Sequence, residues 1–275
     1  MQLKLSLMKL QEVGDFDEVL FWGKIKGITK DYYIALGLKY KGYYEFPNKK
    51  FYWSSINFNF SELPELNDQH KEKAGAMCGL FTGDYEKVLV QVETPENPDE
   101  EEKPPEVEVD DHKEDALSDT SEEEEIKIPP KNFTELDRLC FVVRALENDC
   151  NVVPEGSFKL TPIHEVRRNE NFKGLNSQEL TAISKYQHFR NVQLQEKKEF
   201  IERDDALFYP NFLDSLDYDL PRGAWSIHLD CSKTIATIRS LLWPGYVAYH
   251  RANTLVFGGC YIGDGIKNKD LPFMI

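Results

Sequence analysis

Residues 93–127 carry 17 acidic and 3 basic residues, four prolines and no Phe, Trp or Tyr, and they lie between two apolar, aromatic-rich stretches. Such a tract cannot bury enough apolar area to offset the entropy of ordering it, so it is predicted to be a disordered acidic loop. This constrains the rest of the chain. The flanking stretches must either fold separately or close one body across the loop, and at 275 residues one body is large enough for a sizeable core. The expected organisation is an N-terminal helix and β-meander half (1–92), an acidic insert (93–131) and a C-terminal half of helices and antiparallel sheet (132–275), both halves sharing one fold of the α+β class.

The charge belongs to the insert. The full chain has a formal net charge of −15, so the 240 residues outside the tract carry only −1 between them. Isolated basic pairs such as Lys49-Lys50 and Arg167-Arg168 do not make the clustered positive surface that phosphate neutralisation needs, which argues against nucleic acid as a ligand. No apolar run is long enough to span a membrane, and residues 1–13 lack the apolar centre of a secretory signal, so an intracellular protein is expected. The five cysteines, Cys78, Cys140, Cys150, Cys231 and Cys260, are scattered and show no CxxC spacing, which reads as free thiols, several of them buried.

Residues 1–13 place leucines at helical spacing, although Leu3, Leu5 and Leu7 also alternate as in a strand; a short helix is the expectation. Residues 18–28 and 31–39 read as a hairpin, followed by a third strand over 50–58. Beyond the acidic tract, residues 134–148 give the clearest helix. Thr134 and Asp137 form its cap signature, and Leu136, Leu139, Cys140, Val143 and Leu146 form one apolar stripe. A second helix is predicted over 177–186, with Asn176 as N-cap and Leu175 stapled to Leu180, and a strand over 157–166. The C-terminal region then reads as three antiparallel strands ending in a glycine-rich turn, with the final LPFMI tucked in. Within it, IATIRSLLWPGYVAYH (235–250) is broken at Trp243-Pro244-Gly245, because Pro244 cannot donate to a ladder and Gly245 permits a sharp corner. An indole at such a corner plugs a core or anchors a partner, and the usual burial of large aromatics favours the core.

Signals for chemistry are weak. The run Gly258 to Gly265 invites a nucleotide-binding reading, but it lacks GK[ST] and is followed by a poor helix; a tight hairpin turn explains it better. His228, Asp230 and Cys231 are too few for a metal site, no GxSxG or HExxH is present, and no cofactor is implied. The tract 93–127 by itself suggests an acidic chaperone or cation-binding role. Within it, Thr120 and Ser121 each precede a glutamate by three residues, the pattern acid-directed kinases favour, and both are candidate phosphorylation sites.

VLFWGKIKGITKDYYIALGL (19–38), PRGAWSI (221–227), IRSLLWPGYVAYH (238–250) and the ending YIGDGIKNKDLPFMI together resemble the radial spoke head protein 9 family of motile cilia and flagella. The resemblance runs over nearly the whole chain. It implies a non-enzymatic subunit of the axonemal radial spoke head, assembled with subunits of the radial spoke head protein 4/6 type and facing central pair projections, in a structure that conditions dynein-driven bending. The positions matching its most distinctive motifs, Phe21, Trp22, Gly23, Tyr32, Tyr33, Trp225, Leu242, Trp243, Pro244 and Gly245, are then fold or interface determinants.

Overall fold

The two stretches flanking the acidic tract meet in a single eight-stranded sheet. The computed structural model describes residues 2–40, 46–90 and 132–274. The chain begins with helix α1 (Gln2–Gly14) and then runs up and down through β1 (Glu18–Ile25), β2 (Tyr32–Lys39), β3 (Asn48–Ser54) and the short β4 (Ser61–Glu62), all antiparallel. Helix α2 (Asp68–Ala76) follows, and β5 (Val88–Val90) pairs with β6 (Phe133–Thr134) on either side of the tract. Helix α3 (Glu135–Cys150) is the longest element. It has the predicted box: Thr134 N–H donates to Asp137 Oδ2 at 2.9 Å and Asp137 N–H to Thr134 Oγ1 at 3.4 Å.

Small ribbons and one more helix then cover one side of the body. Strand β7 (Val152–Pro154) pairs with β10 (Tyr186–His188), β8 (Phe158–Leu160) pairs with β9 (Val166–Arg168), and α4 (Gln195–Ile201) follows. The chain ends in an antiparallel run of four strands: β11 (Trp225–Leu229), β12 (Ile235–Ser240), β13 (Tyr246–Arg251) and β14 (Phe257–Gly263).

The sheet order is β11-β12-β13-β14-β1-β2-β3-β4, so the first and last strands of the chain's two halves are neighbours. Their seam is the one parallel pairing in that sheet, Gly23↔Tyr261, Lys24↔Ile262 and Ile25↔Gly263. Gly23 is required there because a Cβ would overlap the Tyr261 carbonyl oxygen, and the adjacent bulge between Phe21 and Gly23 turns β1 to make the approach.

The two halves of the sheet are buried differently. On the inner face, Ile34, Leu36, Leu38, Ile238, Ala248 and Tyr261 join Leu139, Val143 and Leu146 of α3 in one apolar cluster. On the outer face, Phe16, just beyond α1, lies over Gly37 and meets the Tyr52 ring at 5.8 Å, which closes the N-terminal half. The outer face of β12 and β13 has no such cover: buried Ala236, Ile238, Ala248 and His250 alternate with exposed Ile235, Arg239, Tyr249 and Arg251.

Several expectations need correction. Residues 177–186 form two 3₁₀ turns (Glu179–Thr181 and Ile183–Lys185) and not a helix; the Asn176 box with Glu179 is present, but Ala182 is extended and stops propagation. The strand expected over 157–166 is a hairpin, β8–β9. The C-terminal region holds four strands where three were expected, because residues 235–250 fold back at Trp243-Pro244-Gly245, with Gly245 at φ 107°. Gly258 to Gly265, expected to form a tight hairpin turn, lies mostly within strand β14; Tyr249 lies across Gly258 and Tyr246 beside Gly259, where side chains would crowd the rings. Among the described residues of the final segment only Leu271 is buried, while Phe273 and Met274 are 89% and 73% exposed. A lone 3₁₀ turn, Leu271–Phe273, cannot direct all its side chains inward.

Candidate functional site

Three of the sequence-selected aromatics, Trp22, Tyr32 and Trp243, converge on α3, which clamps the two halves of the sheet. Glu135, in its first turn, is buried and accepts from Tyr32 Oη at 2.7 Å, Thr82 Oγ1 at 2.6 Å and the Gly83 N–H at 2.8 Å. Burial by itself raises a carboxyl pKa, yet these donors outweigh it and hold Glu135 below its ordinary value. The helix N-terminus favours the same negative charge. Burial and Glu135 together push the Tyr32 phenol upward, so it remains a donor.

At the other end of α3, Glu147 accepts from Trp22 Nε1 at 2.8 Å and Lys49 Nζ at 2.6 Å. Lys49 also donates to the Phe189 carbonyl and stands over the Phe46 and Phe189 rings. Burial lowers its pKa despite Glu147. Two residues on, Asp149 accepts from Trp243 Nε1 at 2.9 Å and Lys267 Nζ at 2.8 Å, and those bonds overcome burial to keep it ionised. Thus Trp22 of the N-terminal half and Trp243 of the C-terminal half hang on neighbouring carboxylates of one helix. A third indole, Trp225, donates to Asp219 Oδ2 at 2.7 Å, where His188 Nε2 also contacts the carboxylate at 2.9 Å.

Of the ten motif positions, Trp22, Gly23, Tyr32, Trp225 and Trp243 are buried in this arrangement, Trp243 being 3% exposed. Leu242 is half-buried against the core, and Phe21 and Tyr33 are half-buried, Tyr33 meeting Phe58 at 4.8 Å. Pro244 and Gly245 are exposed at the corner. Thr120, Ser121 and the rest of the acidic tract lie outside the described residues.

Sequence reasoning missed the carboxylates that receive these indoles. One signal was available: Glu147 continues the 139–143 apolar stripe by one turn, so an acid stands where the helix faces the core. It also missed the bare outer face of β11–β14, because apolar Ile235, Val247 and Tyr249 on that face hide the apolar/polar alternation of a half-buried strand.

Among the described residues no group of three or more His, Cys, Asp or Glu is placed to hold a metal ion, and no helix is long and apolar enough to cross a membrane. The cysteines are free; Cys140 and Cys150 are buried, and burial raises both thiols, Cys140 to about 11. Gly258 to Gly265 offers no phosphate-cradling loop, since most of it is paired in β14.

By fold this is an α+β protein built on one mixed sheet, with Trp22, Tyr32 and Trp243 tethered to a central helix. No family model matches the chain. It is 34% identical to Radial spoke head protein 9 homolog of Mus musculus and to that of Homo sapiens, over 99% of this chain and 90% of theirs. It is 30% identical to that of Xenopus tropicalis over the same shares. The chain belongs to the radial spoke head protein 9 family, whose place is the axoneme of cilia and flagella.

Proposed function

We propose that this protein is a non-enzymatic structural subunit of the radial spoke head. In this reading it assembles with head subunits of the radial spoke head protein 4/6 type and helps carry signals between the central pair and the doublet-bound dyneins. The observation that carries the reading is similarity spread over 99% of the chain, far more than one shared motif. The internal chemistry agrees with it. The indoles of Trp22, Trp225 and Trp243 and the phenol of Tyr32 all donate to carboxylates inside the body, which stiffens a scaffold.

The test is replacement of the endogenous copy in a motile ciliated cell. Loss of the chain is expected to remove spoke-head density in electron tomograms and alter the beat, while the dyneins stay in place, and the full chain restores both. A complete spoke head in cells lacking the chain overturns the reading.

A further inference from the structure

The bare face of the C-terminal half has a definite chemistry. Its outward positions include the exposed apolar side chains Ile235, Tyr249 and Ile262, at 37%, 45% and 48% exposure, and half-buried Val247. Arg239 and Arg251 stand among them, both exposed; no ion pair joins either to a described carboxylate, and no outward position of β11–β14 is Asp or Glu. Register places these groups side by side: Arg239 is opposite Val247, Ile235 opposite Arg251, and Ile262 next to Lys24 across the seam.

Beyond Gly23↔Tyr261, β1 and β14 are no longer paired, and a cavity of about 280 Å³ lies there. It is lined on this side by Phe21, Tyr249 and Gly258. An apolar, aromatic and arginine-rich face beside a preformed socket is the composition of the centre of a protein interface. Arginines that no described carboxylate pairs give such a face a complementary sign.

We propose that the outer face of β11–β14 docks a surface of another protein that presents carboxylates around an apolar centre, one apolar side chain of which enters the socket between β1 and β14. The proposal rests on the assembly reading above and names the surface it uses. A second copy of this chain would set arginines against arginines. The tract 93–127 brings carboxylates but no Phe, Trp or Tyr and few apolar side chains to cover Tyr249 and Ile262.

The experiment uses the full chain in the replacement cells. A photoreactive benzoylphenylalanine at Thr237, an outward position of β12, is irradiated in isolated axonemes and the joined peptides are sequenced. A peptide of a different chain, with Asp or Glu within a few residues of large apolar side chains, is expected. Capture of residues 91–131 of the same chain, of a second copy, of a segment without carboxylates, or of nothing overturns the proposal. In parallel, Arg239→Glu/Arg251→Glu is expected to lower incorporation into spokes at least tenfold with unchanged melting of the isolated protein. Wild-type incorporation of that variant overturns the docking face alone, whereas absence of the unmodified chain from spoke heads overturns the assembly reading.

Discussion

The two halves of the sheet use the same strand chemistry and finish it differently. In the N-terminal half β2 is buried on both faces, with Ile34, Leu36 and Leu38 against the α3 side and Ala35 and Gly37 closed over by Phe16 and α1. In the C-terminal half β12 and β13 bury one face only. Antiparallel sheets tolerate a solvated face, but that face is normally polar, and here it carries Ile235, Val247, Tyr249 and Ile262 beside two unpaired arginines. The difference separates a half completed by its own chain from a half completed by a partner, with α3 holding both to one frame.

The largest effects should come from that frame and should not distinguish the halves. Trp22→Ala and Trp243→Ala each remove a buried indole and leave Glu147 or Asp149 short of a donor, a loss of about 3–5 kcal/mol. Both variants are expected to melt in one transition by circular dichroism. Two separated transitions would show that the seam does not couple the halves.

The halves should part company at their outer faces. Phe16→Ala uncovers Gly37 and Tyr52 and should cost about 3 kcal/mol, while Tyr249→Ala, on the bare face, should stay within about 0.5 kcal/mol of the parent in denaturant titration. Equal costs would contradict the contrast. At the seam, Gly23→Val forces a side chain into the Tyr261 backbone and should cost about 1–3 kcal/mol, with faster hydrogen exchange in both β1 and β14. Acceleration confined to one strand would mean that they do not support each other.

A smaller effect is pH-dependent and local to the C-terminal half. His250 is buried, accepts from the Leu175 N–H at Nε2 and contacts the Val256 carbonyl through Nδ1. Burial lowers its pKa more than the Val256 carbonyl raises it. The unfolded chain therefore takes up the proton first as pH falls, so this contribution is complete above the ordinary histidine value of about 6.5 and declines below it. Melting temperatures between pH 7.5 and 5.5 should fall less steeply for His250→Gln than for the parent. Identical slopes would remove His250 from the account.

Much of this fold was legible locally. The β1–β2 hairpin, α3 with its Thr134 cap and the corner at Pro244 each follow from residues a few positions apart. The β1–β14 seam was not, because parallel pairing between strands more than two hundred residues apart leaves no local periodicity. The glycines of β14 misled for a physical reason: they are small because Tyr246 and Tyr249 pack on them, and the strand does not turn there. The Asn176 box was read correctly as a cap, but a cap starts a turn without ensuring that Ala182 continues it. The motif aromatics could be named from sequence, whereas their acceptors on α3 depend on how the helix is rotated against the sheet.

The most direct measurement of the central contrast is hydroxyl-radical footprinting of the isolated chain against the chain in intact axonemes. Tyr249 and Ile262 are predicted to be reactive when free and strongly protected in the axoneme, while exposed Leu5 and Met8 of α1 react alike in both. Protection of α1 with Tyr249 and Ile262 still fully reactive would contradict the account.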